Sequence, residues 1–398
     1  VTSAETFTFF AVSPPGLEAL VRDELEANGF GRGRVLPGGV EWEGQLSEAL
    51  RANLLLRLPN RVMVRFARFH SANFPDLFRA AARLPWGDFL PPDAVVRFRV
   101  TAHRSRLYHT GGIAERLADG LLRRLPGARV EGPAGADDVD DVGAAHQLVV
   151  ARLDRDQVEL SLDASGDLLC RRGYRQATAK APLRENLAAA LLHAAGWKGE
   201  GVLVDPFCGA GTIAIEAAEI ALGLAPGRNR AFACERWPHP ECGRAAALRA
   251  EILAARPVTA SFRVLASDRV DGALKALASN AERAGVSEAL EVSRSDFLHV
   301  TPPAEGGCLV TNPPYGLRVH AGVPGAAGLD ELALHLRDAW VGWRAALLVP
   351  AGATAWARVL SSTGPFARHV RTRNGGLEVA LRAGVVGPRA APRLQRSP

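Results

Sequence analysis

Apolar and polar positions follow two different rhythms along the chain. Over residues 1–165, short strand-like runs mix with amphipathic helical stretches. Residues 6–12 form an apolar run that predicts a strand. Pro15 stands at a helix start, and Leu17, Leu20, Val21 and Leu25 share one face of that helix, which Gly29 is expected to end. Residues 62–69 read as a strand. In residues 95–100, Val96, Phe98 and Val100 alternate with Arg97 and Arg99, so one face of that strand is apolar and the other basic. Ile113, Leu117, Leu121 and Leu125 recur at four-residue spacing and predict a helix. Residues 147–153 and 157–163 predict a hairpin around Asp154-Arg155-Asp156, and residues 131–141, rich in Gly, Ala and Asp, read as a solvated loop. This first region is therefore expected to be α+β.

Past residues 164–167 the rhythm changes to strands alternating with helices, as a doubly wound α/β sheet requires. Residues 202–204 are a short buried strand, followed by a glycine loop and a helix reaching Ala221. Strands are expected at 262–266, 290–292, 308–310 and 345–349, with a helix over 272–284 and another carrying Leu332, Leu336 and Trp340. Residues 371–374 and 377–381 flank Gly375-Gly376 and suggest a closing hairpin. Trp340, Trp343 and Trp356 read as core, the Pro/Arg-rich tail from Pro388 as frayed, and no internal repeat is present.

Composition narrows the class. The 398 residues suit two or three domains, and 47% hydrophobic content is ample for packed cores. No apolar run approaches the roughly 18 residues of a membrane span, and residues 1–8 lack the pattern of a secretory signal. The five cysteines form no CxxC pair, which fits reduced thiols in a cytoplasmic protein. The net charge is +6 and the pI about 9.4. Between residues 51 and 125 stand 14 Arg and no Lys against five acids, which reads as an electrostatic footprint for phosphates.

The candidate chemistry lies in the second region. Asp205-Pro206-Phe207-Cys208-Gly209-Ala210-Gly211-Thr212 runs from strand through loop to helix. Gly209 and Gly211 allow a tight turn and a close ligand, and the free amides of the following helix suit a carboxylate. No GKS/T sequence follows, so this is not a phosphate loop. Asp268, just past the second strand, can accept from both hydroxyls of a ribose. Asp296, just past the third, can accept from an adenine amino group while Phe297 packs on the ring. S-adenosylmethionine combines an adenosine with a carboxylate, and three strand ends in this order make it the expected cofactor.

Asn312-Pro313-Pro314-Tyr315 ends the fourth strand. The prolines fix the backbone and remove two amide donors, leaving carbonyls free to accept. An aromatic amine is a poor nucleophile because its lone pair is delocalised into the base. Two acceptors, one of them Asn312, would hold its hydrogens and turn that lone pair toward the methyl group. Tyr315 would stack on the base, a contact worth about 1–3 kcal/mol. Positioning would carry much of the rate, with no strongly shifted base needed. Adenine, guanine and glutamine amides all satisfy these residues.

These motifs resemble class I methyltransferases of the N6-adenine and N2-guanine type. Upstream, Arg172-Gly173-Tyr174-Arg175 and Ala181-Pro182-Leu183-Arg184-Glu185 resemble the segment preceding the first strand in THUMP-domain guanine-N2 RNA methyltransferases. Pro15-Gly16-Leu17-Glu18 and Gly38-Gly39-Val40 resemble the start of their ferredoxin-like and THUMP region. The likeness runs over nearly the whole chain and is greatest to the guanine-N2 half of the bifunctional 23S ribosomal RNA enzyme, whose second methyltransferase half is expected to be absent from these residues.

The resemblance implies a ferredoxin-like region over 1–60, a THUMP RNA-binding domain over 61–165 and a Rossmann-like, seven-stranded methyltransferase domain over 166–398. It implies that Asp205 and the glycine loop, with Phe207, Gly209, Gly211 and Thr212, hold the methionine moiety. Asp268 would hold the ribose, Asp296 and Phe297 the adenine, and Asn312, Pro313, Pro314 and Tyr315 the target base, with Pro182 and Leu183 walling the pocket. The family's Asp-x-Asp is not kept after Asp268, where Arg269-Val270-Asp271 moves the second acid one place on, so Asp271 is given no role.

The expected activity is transfer of a methyl group to guanine N2 in 23S ribosomal RNA, ahead of the same reaction on tRNA. Glutamine methylation of a protein and RNA binding without catalysis are the readings of other classes. No membrane or protein partner and no metal is expected. Cys234, His239 and Cys242 lack a fourth ligand at zinc spacing and read as packing. Cys208 reads as a small wall residue, and His103 and His109 as surface or RNA-contacting groups.

Overall fold

The structure is a computed structural model that describes residues 5–132, 146–175, 183–254, 260–315, 326–352, 359–360 and 367–387, with residues 326–329 described by their backbone. The chain divides into two compact units. Val1–Pro14, Val21–Arg172 and Ala225–Ala255 form the first, and Pro15–Leu20, Gly173–Leu224 and Arg256–Pro398 the second.

Up to Arg172 the strands are β1 (Phe7–Val12), β2 (Arg34–Leu36), β3 (Gly39–Gly44), β4 (Arg61–His70), β5 (Val95–His103), β6 (Arg129–Glu131), β7 (His146–Asp154) and β8 (Gln157–Asp163). The helices are α1 (Glu18–Ala27), α2 (Glu48–Leu55), α3 (Phe74–Ala81), the single turn α4 (Trp86–Phe89) and α5 (Thr110–Arg124). One sheet takes all eight strands in the order β2-β3-β1-β4-β8-β7-β5-β6. Gly29 ends α1 with φ +73°, and the Phe30 amide returns to the Leu25 carbonyl at 3.1 Å. The β7–β8 turn places Arg155 and Asp156 at φ +51° and +62°, the left-handed pair that a tight hairpin demands. Val96 and Phe98 are buried as the alternation required. The segment expected to be a loop at 131–141 lies outside the described residues from position 133 onward.

The second unit carries α6 (Glu185–Ala194), β9 (Gly201–Asp205) and α7 (Thr212–Ala221). The inserted stretch with α8 (Ala245–Ala254) follows in the chain, and then β10 (Phe262–Asp268), α9 (Asp271–Ala284), β11 (Leu290–Arg294) and β12 (Cys308–Thr311). Helix α10 (Ala326–Ala339) and strands β13 (Arg344–Pro350), β14 (Arg368–Asn374) and β15 (Leu377–Val385) complete it. Its sheet runs β11-β10-β9-β12-β13-β15-β14, all strands running the same way except β15, which is antiparallel to both of its neighbours. The alternation predicts an α/β sheet, and the family resemblance implies its seven strands. The chain steps outward from β9 to β10 and β11, then returns to β12 on the other side of β9. That reversal opens a crevice at the carboxyl ends of β9 and β12. Trp340 and Trp343 pack with Phe297, Leu309 and Leu336 in a buried cluster, while Trp356 lies outside the described residues, as do Pro388 and the tail beyond it.

The inserted stretch packs within the first unit. Gly227 donates its amide to the Leu54 carbonyl at 3.1 Å, Cys234 to that of Ala164 at 3.1 Å, and Trp237 Nε1 to Gln147 Oε1 at 2.9 Å. Here His239 takes the Glu241 amide on Nδ1 at 3.3 Å and packs its ring against Phe7 and Phe89, and Cys234 is buried. These contacts are packing contacts.

Candidate functional site

The carboxyl ends of β9, β10, β11 and β12 meet at one cleft of 510 Å³. That lies within the span of about 300–1,000 Å³ usual for small-molecule sites. Phe207 and Gly209 line it from the loop after β9, Asp268 and Val270 from the end of β10, and Asp296 and Phe297 from the segment after β11. Asn312 and Pro314 line it from the loop after β12. Glu331 and Leu332 reach it from α10.

Asp205, at the end of β9 and next to the lining residues Pro206 and Phe207, is 1% exposed. Its Oδ1 accepts from the Thr311 hydroxyl at 2.7 Å and from the Phe207 amide at 3.4 Å. Its Oδ2 is buried and has no hydrogen-bond partner among the described residues. Burial, with the nearby charge of Asp268, pushes the Asp205 carboxyl up to about 7 against the pull of the Thr311 and Phe207 bonds. A buried carboxylate oxygen without a donor costs free energy, and a cation with N–H donors removes that cost.

The glycine loop is shaped for close approach. Gly209 has φ +52°, and a Cβ there would meet nothing within 4 Å, so the space above its backbone is open. Gly211, at φ +87°, precedes the first turn of α7, and a Cβ there would stand 2.7 Å from Leu277 Cγ. Only glycine suits that position. Thr212 opens α7 and does not line the cleft: its hydroxyl accepts from Arg175 Nη2 at 2.6 Å. Arg175 also donates to the Leu183 carbonyl at 2.8 Å and pairs with Glu185 at 3.3 Å. The segment before β9 is thereby tied to the start of α7. Pro182 lies outside the described residues.

Asp268 is held by the Gly209 amide on Oδ2 at 3.0 Å and the Val270 amide on Oδ1 at 2.9 Å. Each oxygen keeps a second lone pair for a ligand hydroxyl. Asp296 caps the short turn Phe297–His299 by accepting the Leu298 amide at 3.1 Å. Phe297 is 2% exposed, edge-on to His335 and stacked with Trp340. The half-buried Phe207, 5.2 Å from Phe297 between ring centres, is the more open aromatic wall. Asp271 pairs with Arg294 at 3.4 Å and does not line the cleft.

In the loop after β12, the Tyr315 hydroxyl donates to Asn312 Oδ1 at 2.7 Å, while Tyr315 itself does not line the cleft. Burial raises the Tyr315 hydroxyl well above its usual range, so it remains a donor. The Asn374 side chain, at the end of β14, also reaches that hydroxyl. Asn374 is 4% exposed, and its Oδ1 has no partner among the described residues. Pro313 is buried beneath the turn.

Thr311, Asn374 and Glu331 were not singled out from the sequence, and Arg175 was named there only as part of the motif before the first strand. Thr311 could have been, since it stands beside Asn312 on a strand whose Leu309 pairs with Val204 next to Asp205. Asn374 carries no such local signal, because only the order of β13, β15 and β14 brings it to this edge.

The chain is similar to known proteins. Residues 172–332 match the family described as "RMKL-like, methyltransferase domain", and residues 8–63 match the "RlmL ferredoxin-like domain". The chain is 33% identical over 342 residues to the ribosomal RNA large subunit methyltransferase K/L of Psychromonas ingrahamii, covering 84% of this chain and 45% of that protein. It is 32% identical over 313 residues to the putative RNA methyltransferase YpsC of Bacillus subtilis, covering 79% of this chain and 80% of that protein. The chain thus spans about half the length of the K/L relatives it matches. Among solved structures, SMU.472, a putative methyltransferase complexed with SAH, superposes with a TM-score of 0.76 at 25% identity, over 97% of this chain and all of that one. Among the described residues, no helix is long and apolar enough to cross a membrane.

Proposed function

The chain belongs to the RMKL-like methyltransferase family, and on that premise we propose that it transfers a methyl group from S-adenosylmethionine to the exocyclic N2 amine of a guanine in 23S ribosomal RNA. The observation that carries this reading is the shared cleft: Asn312 and Pro314 line the same cavity as Asp268 and Asp296. A nucleoside-binding wall and an amine-holding turn therefore face one space.

The cofactor fits the residues present. The orphaned Asp205 Oδ2 suits an ammonium group, the open backbone at Gly209 suits close contact, and the amide-held Asp268 suits a ribose diol. Phe207 and Phe297 suit the faces of an adenine whose amino group Asp296 accepts. S-adenosylmethionine supplies a methyl group on a sulfonium, open to direct displacement.

The chain's own part is orientation. Asn312 Oδ1 takes one amine hydrogen on the lone pair that Tyr315 leaves free, and a carbonyl of the Pro313-Pro314 turn takes the other. The nitrogen lone pair then points into the cleft. Tyr315 stacks on the base. Fixed dipoles need no rearrangement as the charge on the amine develops.

The Arg-rich stretch supports an RNA partner, although not all 14 guanidinium groups are available. Arg61 is buried against Asp163, and Arg65 pairs with Glu159, whereas Arg68, Arg83, Arg104, Arg123 and Arg124 are exposed. We assign residues 1–60 to a ferredoxin-like region, 61–165 to a THUMP-type RNA-binding domain and 166–398 to catalysis. An enzyme of this kind works in the cytoplasm, where ribosomal RNA is exposed. Choice among substrates follows from one assay. The protein is incubated with labelled cofactor and, separately, undermethylated ribosomal RNA, tRNA and protein extract. Label in ribosomal RNA is the expected result, and label confined to tRNA or protein would overturn it.

A further inference from the structure

Tyr108 is 79% exposed, while its neighbour Leu107 is 5% exposed. Both lie in the turn between β5 and α5. An exposed tyrosine on a mobile surface turn would carry no meaning, but this turn is braced from below. Asp156 Oδ1 accepts the Arg106 amide at 2.7 Å, and the Asp156 amide donates to Ser105 Oγ at 3.1 Å. Ser105 Oγ in turn donates to the His103 carbonyl at 3.0 Å, which also accepts the Arg155 amide at 3.2 Å. His109 Nδ1 accepts the Gly112 amide at 3.1 Å and caps α5 directly after Tyr108. Arg104 holds φ +48°, a backbone state that non-glycine residues adopt only when surroundings impose it. The turn is therefore fixed on both sides of an aromatic ring that faces solvent.

The surroundings of the ring are cationic. Arg104 and Arg106 are exposed, and Arg155 projects from the adjoining β7–β8 turn. Within these two turns the carboxylates are Asp156, 3.8 Å from Arg106, and Asp154, which holds His103 at 3.2 Å. Arg104 has no ion pair among the described residues. A rigid, outward aromatic face flanked by guanidinium groups matches what a nucleobase with its phosphates requires: the ring takes the base and the cations take the backbone. A paired base has no free face to offer, so the fitting partner is single-stranded RNA.

We propose that Tyr108, with Arg104, Arg106 and Arg155, forms a stacking site for an unpaired RNA base on the first unit. This rests on the reading of the chain as an RNA enzyme, and adds to it the form of RNA that this surface selects.

The test uses the full chain and two fluorescein-labelled probes, a mixed-sequence RNA of roughly 12 nucleotides and its duplex, read by anisotropy across a salt series. Tyr108→Ala should weaken single-strand binding about tenfold, within the range for one base stack, with an unchanged salt slope and unchanged duplex binding. Tyr108→Trp should bind within about twofold of wild type, because the face is kept. Arg104→Ala should instead reduce the salt slope by about one. Single-strand binding by Tyr108→Ala equal to wild type would overturn the stacking site, as would an equal loss on both probes. If wild type binds the probe and methylates undermethylated ribosomal RNA in either case, the site alone has failed. Wild type binding neither probe would overturn the site and the RNA reading together.

Discussion

Asp205 makes cofactor binding proton-linked in a way that can be worked out from its environment. In the free protein its carboxyl sits at about 7, because it is buried and faces Asp268. The ordinary aspartate value is about 3.9. The group thus binds its proton more tightly in the folded chain than in the unfolded one. Stability from this group is highest below about pH 4 and falls as pH rises to about 7, by at most about 4 kcal/mol. An ammonium group placed against the orphaned Oδ2 reverses the cost and expels the proton. If the bound state returns Asp205 to an ordinary value, the cofactor dissociation constant should tighten about 25-fold between pH 5.5 and pH 7.5. At the upper limit an α-amino group of ordinary pKa, about 7.7–8.0, is still mostly charged, so the ligand's own titration trims this tightening by less than about twofold. Calorimetry of S-adenosylhomocysteine binding at several pH values, in two buffers of different ionisation enthalpy, reads both affinity and proton release. Release of about one proton at pH 5.5 is expected. Asp205→Asn should flatten the profile. A wild-type dissociation constant that is constant over this window, with no proton released, would refute the linkage.

Three further outcomes follow from named contacts. Asn312→Ala should lower turnover at least about 100-fold while cofactor affinity stays within about threefold, checked by single-turnover methyl transfer beside calorimetry; near-normal turnover would remove Asn312 from its role. Asn374→Ala should slow transfer about tenfold in wild type but much less in a Tyr315→Phe background, because its effect passes through the Tyr315 hydroxyl; equal losses in both backgrounds would mean that it acts independently. Asp163→Asn should destabilise the first unit by about 3–5 kcal/mol in urea unfolding, because Arg61, 4% exposed, loses its buried counter-charge; a loss below about 1 kcal/mol would show that pair to be solvated.

What could be read from the sequence was whatever is carried by contiguous residues. The loop after β9 and the turn after β12 state their geometry through glycine and proline, whose backbone limits hold in any context. The inner strands β9, β12 and β13 of the second unit are apolar runs with few alternatives, and they fall where the alternation placed them. Elements whose burial comes from distant parts were less legible. The β2–β3 hairpin is short, with Arg34 and Val35 exposed, and α3 begins at an Asn73 cap rather than with a long apolar face. Helix α8 has no buried residue, so its sequence carries little periodic signal. The return of Ala225–Ala255 to the first unit depends on Leu54, Gln147 and Ala164, none of them near it in sequence. Phe297 shows the same limit inside the site. Position alone suggests a ring facing an adenine, whereas packing against His335 and Trp340 buries most of it and leaves Phe207 as the more open wall.

The central claim is that the turn at Asn312 presents a guanine N2 amine to a methyl group held in the adjoining cleft. Undermethylated 23S ribosomal RNA treated with the protein and isotopically labelled S-adenosylmethionine, digested to nucleosides and analysed by mass spectrometry, tests it most directly. The account predicts label in N2-methylguanosine, lost in Asn312→Ala. Label in N6-methyladenosine, or none in any nucleoside, would contradict it.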